Sequence, residues 1–337
     1  RGLVDVYKRQ LPALRPSQEA KPRGENFRIT DDHLGEGGPK EKFRANLDAI
    51  RTLKAIEAEG RGATAEEQEV LSHYVGWGGL PDAFDPDKEN WSKEYTELKE
   101  ALTPEEYDSA RGSVLNAHYT SPAVIRAVYE ALEHIGFQSG NILEPSCGVG
   151  SFFGCLPESM AGSKLYGVEL DSISGRIAKQ LYPRAHITVA GFETTDRRDF
   201  YDLAVGNVPF GNYQVNDRAY NKLGFSIHNY FFAKALDQVR PGGIVAFLTS
   251  RYTMDAKDSA VRQYLAQRAD LLGAIRLPNN AFKANAGTEV VSDILFLQKR
   301  STPQVTEPDW VQTQETPEGF TVNRYFQEHP ELSLIHI

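Results

Sequence analysis

Residues 141–152 read Asn141-Ile142-Leu143-Glu144-Pro145-Ser146-Cys147-Gly148-Val149-Gly150-Ser151-Phe152. A short apolar run passes directly into a Gly-x-Gly turn and then into residues that suit a helix start. Glycines at such a corner let backbone N–H groups approach a ligand where the helix begins. Glu144, Pro145, Cys147, Gly148 and Gly150 are therefore candidate binding positions. The spaced third glycine of dinucleotide folds is absent, so the turn alone leaves a ligand site and a plain tight turn equally open. About twenty residues on, the run Tyr166-Gly167-Val168-Glu169-Leu170 ends on a carboxylate, where an acid can accept both hydroxyl protons of a ribose. The plainer role for Glu169 is to cap the helix starting near Ser172, which Asp171 can do as well. The two motifs in this order predict a nucleoside site.

The alternation of strand and helix patterns continues on both sides. Apolar runs lie at 142–143, 165–170, 187–190, 203–205, 244–248, 271–277 and 294–297, separated by helical stretches or long turns. Seven strands with crossovers predict an α/β fold on a doubly wound, mostly parallel seven-stranded sheet. Upstream, Phe43, Leu47, Ile50, Leu53 and Ile56 recur at helical spacing, and Gly60 and Gly62 end that helix. Thr64 with Glu67 forms a capping box, and Thr103-Pro104-Glu105-Glu106 repeats the signal. Gly76-Trp77-Gly78-Gly79-Leu80-Pro81 reads as a tight turn anchored by a buried Trp.

The segment Asp202-Leu203-Ala204-Val205-Gly206-Asn207-Val208-Pro209-Phe210-Gly211 carries the most specific chemistry. An apolar strand delivers Asn207, a proline turn and an aromatic to its carboxyl end, where ligands of open α/β sheets bind. The Asn207 amide oxygen and the Val208 carbonyl can accept both hydrogens of a planar amine, and Phe210 can stack on a base. Methyl transfer from a sulfonium is an in-line displacement governed by positioning, so no acid–base His is required.

In this order the segments resemble the class I S-adenosylmethionine-dependent methyltransferases that modify adenine N6 in DNA, in the subclass whose cofactor motif precedes its Asn-Pro-Pro-Phe/Tyr motif. The resemblance covers about residues 116–300. It implies that the 144–150 loop holds the cofactor, that Tyr119 and Thr120 in His118-Tyr119-Thr120-Ser121-Pro122 touch its methionine part, that Glu169 binds its ribose and that Leu170 packs on its adenine. Asn207, Val208, Pro209 and Phe210 correspond to the amine-binding corner. In Leu277-Pro278-Asn279-Asn280-Ala281-Phe282, Phe282 is similar to a second aromatic against a flipped base. The family's first corner Pro is Val208 here, and Gly191 stands where the family often has an Asp for the cofactor's adenine amine. Phe192 remains for edge packing, with Glu193 or Asp196 as replacement acceptors. The helical preface and residues 220–300 are similar to the methylase part of large helicase–methylase proteins of mobile elements.

Composition limits the rest. Asp and Glu number 46 against 37 Lys and Arg, a net charge of -9, whereas a self-sufficient DNA binder usually shows a basic face. Basic residues between Arg251 and Arg300 are a possible footprint but read mostly as an ordinary solvated surface. DNA capture is therefore expected from a helicase or target-recognition segment elsewhere in the parent chain. Cys147 and Cys155 read as free thiols, and no His or Cys spacing suits a metal. No apolar run is long enough for a membrane span, so the expected location is cytoplasmic. Residues 1–10 and 332–337 resemble adapter read-through, and the chain reads as a fragment. The expected division is a flexible arm to 39, a helical region 40–115, a catalytic domain 116–300 and a linker or truncated continuation 301–337. Methylation of a glutamine amide or an RNA guanine amine is the enzymatic alternative. A noncatalytic DNA-docking or scaffold module is the other.

Overall fold

In the computed structural model, which describes residues 24–114, 119–279, 281 and 291–334, the opening apolar run becomes the central strand β1 (Asn141–Glu144). It is joined by β2 (Lys164–Glu169), β3 (His186–Val189), β4 (Tyr201–Asn207), β5 (Val239–Ser250), β6 (Ala269–Arg276) and β7 (Ser292–Lys299). The sheet order is β3-β2-β1-β4-β5-β7-β6, parallel from β3 to β5, with β7 antiparallel to both its neighbours. Chain order reverses at β1, which pairs with both β2 and β4, so a crevice opens beyond the carboxyl ends of these three strands.

Both faces of the sheet are covered, which is why its strands read as near-continuous apolar runs. Leu203, Val205, Ile244, Ala246 and Leu248 enter one core, and their neighbours Ala204, Val245 and Phe247 enter the other. The first core is shared with α1 (Pro39–Glu59), α2 (Ala65–Ser72), α3 (Ser92–Ala101), α4 (Pro104–Ser113), α5 (Pro122–Ile135), α6 (Ser151–Gly154) and α7 (Ser172–Leu181). The second is closed by α8 (Ile227–Gln238), the short α9 (Tyr252–Asp255) and α10 (Ala260–Arg268). Reciprocal capping boxes start α2 at Thr64 and Glu67, and α4 at Thr103 and Glu106.

The helical region is fastened to α7. Arg176 donates to Glu57 and to Glu106, at 2.8 Å each, and Lys54 pairs with the same Glu106 at 2.7 Å. The buried Gln68 amide donates to the Gln180 carbonyl at 3.0 Å. No helix among the described residues is long and apolar enough to cross a membrane.

Two expectations need correction. The described part of the arm, 24–38, is laid along the domain: Phe27 donates to the Leu181 carbonyl at 2.8 Å, Ile29 to that of Gly154 at 2.9 Å, and Ile29 and Leu34 are buried. Residues 301–334 likewise form no loose linker. They contain a hairpin of β8 (Thr313–Glu315) and β9 (Thr321–Asn323) followed by α11 (Arg324–Glu328), with Trp310, Val311 and Phe326 buried against the second core. Buried Arg262 donates to the Val311 carbonyl at 2.7 Å, and buried Asn323 donates to those of Met254 and Trp310 at 2.7 and 2.8 Å. Backbone carbonyls satisfied by buried side chains replace the regular elements that the proline-broken sequence lacks.

The basic residues between 251 and 300 are mostly used structurally. Arg262 is buried, and Arg276 is buried between Asp255 and Asp293. Lys257 pairs with Glu315, Lys299 with Asp199, and Arg300 with Asp270.

Candidate active site

The crevice beyond β1, β2 and β4 is a cavity of about 800 Å³. One side is the loop after β1. Gly148 and Gly150 both have positive φ, at 54° and 87°, which glycine adopts without strain. At Gly150 a side chain would also meet the Tyr182 ring. Glu144, Pro145, Cys147 and Gly148 line the cavity, whereas Gly150 serves the turn from behind.

Glu169 closes the end of β2 and ties the two segments together. One carboxylate oxygen accepts the Gly148 N–H at 2.7 Å and the other the Asp171 N–H at 2.8 Å. A carboxylate has about four acceptor positions, so capacity for two hydroxyl donors remains. Burial pushes its pKa up to about 7, against the lowering by those two amides. Asp171, and not Glu169, caps α7, accepting from the Ser174 N–H at 2.8 Å. Leu170 stands 75% exposed at the rim, and Phe192 lines the wall while 3% exposed. Burial, then the neighbouring Glu169, raises the Glu144 carboxyl well above the usual range. Burial likewise raises the Cys147 thiol, which makes it a packing group and no nucleophile.

The third side is the corner after β4. Asn207, Val208 and Pro209 line the cavity together with Tyr119 and Thr120. The Asn207 Nδ2 donates to Thr120 Oγ1 at 3.0 Å. Val208 is buried and its N–H continues the ladder to the Leu248 carbonyl at 3.1 Å. Phe210 departs from expectation: it packs partly buried against the second core, and Tyr213 lines the cavity instead. Phe282 lies outside the described residues. No histidine among the described residues lines the cavity.

No protein-family model matches the chain. Defense against restriction protein B of Escherichia phage P1 is 29% identical over 273 residues, which is 78% of this chain and 10% of the phage protein. The type II methyltransferase M.CvrRI of Paramecium bursaria Chlorella virus XZ-6E is 34% identical over 93 residues, 27% of this chain and 24% of the enzyme. The chain thus spans only a fraction of the length of either relative. A solved structure described as a class I S-adenosylmethionine-dependent methyltransferase from Listeria monocytogenes aligns with a TM-score of 0.47 at 17% identity, covering 80% of this chain and 91% of that one. The chain is thus similar in sequence to a methyltransferase over part of its length, on a mostly parallel seven-stranded sheet.

The donor set of the cavity fits S-adenosylmethionine, the cofactor that the sequence resemblance implies. Glu169 offers lone pairs to a diol, and Glu144 Oε2 is buried with no hydrogen-bond donor among the described residues. A buried polar atom left in this way is a place for a ligand group. Glu193 also lines the cavity, and its carboxylate folds back into the space that a side chain on residue 191 would need. Asp196 does not line it. The sequence reading did not anticipate the wall built by Tyr74 to Trp77 and by Ser109, Gly112 and Ser113 of the helical region. The glycine turn at 76–79 was its one visible signal, and the buried Trp77, 5.4 Å from the Phe84 ring, does anchor that turn.

Behind the site, Lys234 of α8 joins the loops after β3 and β4. Its ammonium donates to Asp217 Oδ2 at 2.7 Å and to the Glu193 carbonyl at 3.2 Å, and Tyr230 donates to the same Asp217 oxygen at 2.8 Å. Burial opposes ionisation of Asp217, but Lys234 and Tyr230 outweigh it and hold the carboxyl below its usual range. The ion pair is 5% and 9% exposed. Lys234→Met should therefore destabilise the fold by about 3–5 kcal/mol, because a buried carboxylate loses its partner. Adding Asp217→Asn should recover part of that loss in denaturant unfolding, and a single variant of native stability would refute the account.

Proposed function

We infer that this domain transfers a methyl group from S-adenosylmethionine to the N6 amine of adenine in DNA, as the catalytic part of a larger protein. One observation carries the reading: the cofactor loop and the Asn207-Val208-Pro209 corner line a single cavity. The cofactor supplies an electrophilic methyl group on its sulfonium. The chain's residues do the rest by positioning. Tyr119, Thr120 and Glu144 face the methionine portion, Glu169 takes the ribose hydroxyls, Leu170 and Phe192 flank the adenine, and Glu193 supplies the acceptor missing at Gly191. Asn207 Oδ1 and the Val208 carbonyl accept the two hydrogens of the target amine, leaving its lone pair for the methyl carbon. A base in a duplex reaches such a corner only by leaving the stack. In this reading Tyr213 at the cavity supplies a stacking surface, with Phe210 supporting the corner from the core side.

The net charge of -9 and the internal pairing of many basic residues support DNA capture by a helicase or target-recognition segment of the parent chain. Incubation with methyl-labelled donor and DNA, RNA or protein tests the substrate. Label should appear on DNA and, after digestion, on N6-methyladenine. Label on RNA or protein with DNA blank would replace the substrate, pointing to a guanine or glutamine amine. A chain that binds the cofactor and labels none of the three would favour the scaffold alternative.

A further inference from the structure

The turn at 74–77 and the end of α4 belong to the helical region, yet they wall the cofactor cavity. The turn is rigidly held. Asn46, fully buried on α1, donates its Nδ2 to the Gly76 carbonyl at 2.5 Å and accepts the Val75 N–H on Oδ1 at 2.9 Å. Tyr74 is 2% exposed, and its hydroxyl lies against Ser174 and the Trp77 indole, within reach of the Asp171 charge. From α4, the Ser109 hydroxyl donates to Asp171 Oδ1 at 2.9 Å. Asp171 in turn presents its own N–H to Glu169 Oε1.

We propose that the helical region is an integral part of the cofactor site, with Tyr74 and Ser109 as positioning residues that set Asp171, and through it Glu169, against the ribose. The region does not need these hydroxyls to stay attached. Arg176 and Gln68 already fasten it to α7 at contacts outside the cavity. Ser109 reaches Asp171 directly, and Tyr74 reaches it through Ser174, whose N–H and hydroxyl both donate to Asp171 Oδ2. Groups that hold the residue next to the ribose acid act on ligand geometry, because a site is only as precise as the groups that hold its contacting residues. The wall also excludes water from the adenosyl end, which strengthens every hydrogen bond made there.

Calorimetric titration of the full chain with S-adenosylmethionine tests this. Tyr74→Phe and Ser109→Ala should each weaken binding about three- to tenfold, the scale of one neutral hydrogen bond. In the double variant the pH midpoint of binding, set by Glu169 at about 7, should also move. Arg61→Ala, which removes an ion pair with Glu59 and Glu67 away from the cavity, should bind like the native chain. Native affinity in both single variants, or an equal loss in Arg61→Ala, would overturn the inference. It rests on the cofactor assignment but on no particular substrate. A native chain that fails to bind S-adenosylmethionine would overturn both, whereas native binding with indifferent variants overturns this inference alone.

Discussion

Replacing Asn207 by alanine should slow methyl transfer about a hundred- to a thousandfold, the scale seen when one pre-aimed polar group is removed from a reacting centre. The cofactor affinity should change by less than about threefold, which is under 1 kcal/mol. The separation follows from where the side chain sits. Asn207 ends β4 and lines the cavity, with its Nδ2 held by Thr120 Oγ1, while the glycine loop follows β1 and Glu169 ends β2. An exocyclic amine delocalises its lone pair into the base, and two acceptors in the plane of its hydrogens return that density to the nitrogen. Alanine removes one of them. Thr120→Ala should act in the same direction but more weakly, since the amide remains and only its orientation is released. Single-turnover rates with labelled donor, beside calorimetric cofactor affinities, decide the matter. A native rate in Asn207→Ala would remove the amine-holding mechanism, and an unchanged rate with much weaker cofactor binding would move Asn207 to the cofactor's side.

The sheet was legible because its strands are buried on two faces. Residues such as Leu203, Ala204 and Val205 are apolar without alternation, and each serves one core or the other. Helix starts were legible for a local reason, since Thr64 and Thr103 satisfy N–H groups within their own first turn. The packing of 301–334 was not. It depends on Arg262 and Asn323 meeting carbonyls far away in the chain, and no periodicity records such contacts. That the glycine loop, Glu169 and Asn207 line one cavity was legible, because each lies at the carboxyl end of a short strand. Phe210 misled for the opposite reason: adjacency to Asn207 said nothing about which way the ring turns once Val208 is buried, and it turns to the core while Tyr213 lines the cavity. The wall from the helical region is a product of tertiary docking, with only the glycine turn to hint at it.

The second large effect concerns Glu169 and carries a pH signature. In the unliganded chain its pKa is raised to about 7 by burial, despite the amides of Asp171 and Gly148. A raised carboxyl favours the folded state in its neutral form. Its contribution to stability is complete below the ordinary value of 4.5 and is lost as pH rises through about 7. Cofactor binding runs the other way, because two ribose hydroxyls donate to the ionised carboxylate. Affinity for S-adenosylmethionine should therefore rise with pH, falling about tenfold per unit below the midpoint and levelling off above it. Binding just below the midpoint should release a proton, which calorimetry in buffers of different ionisation enthalpy can read. Glu169→Gln should weaken binding at pH above the step by about ten- to a hundredfold, the loss of a charge-assisted hydrogen bond, and should flatten the pH dependence. Glu193→Gln offers the contrast: under the proposed role of Glu193 at the adenine edge it should weaken binding while keeping the step. Affinity is the decisive readout, since Asp293, raised to about 6 by burial, also titrates in the folded chain but lies off the cavity. A step that survives in Glu169→Gln would place the titrating group elsewhere and take the ribose role from Glu169.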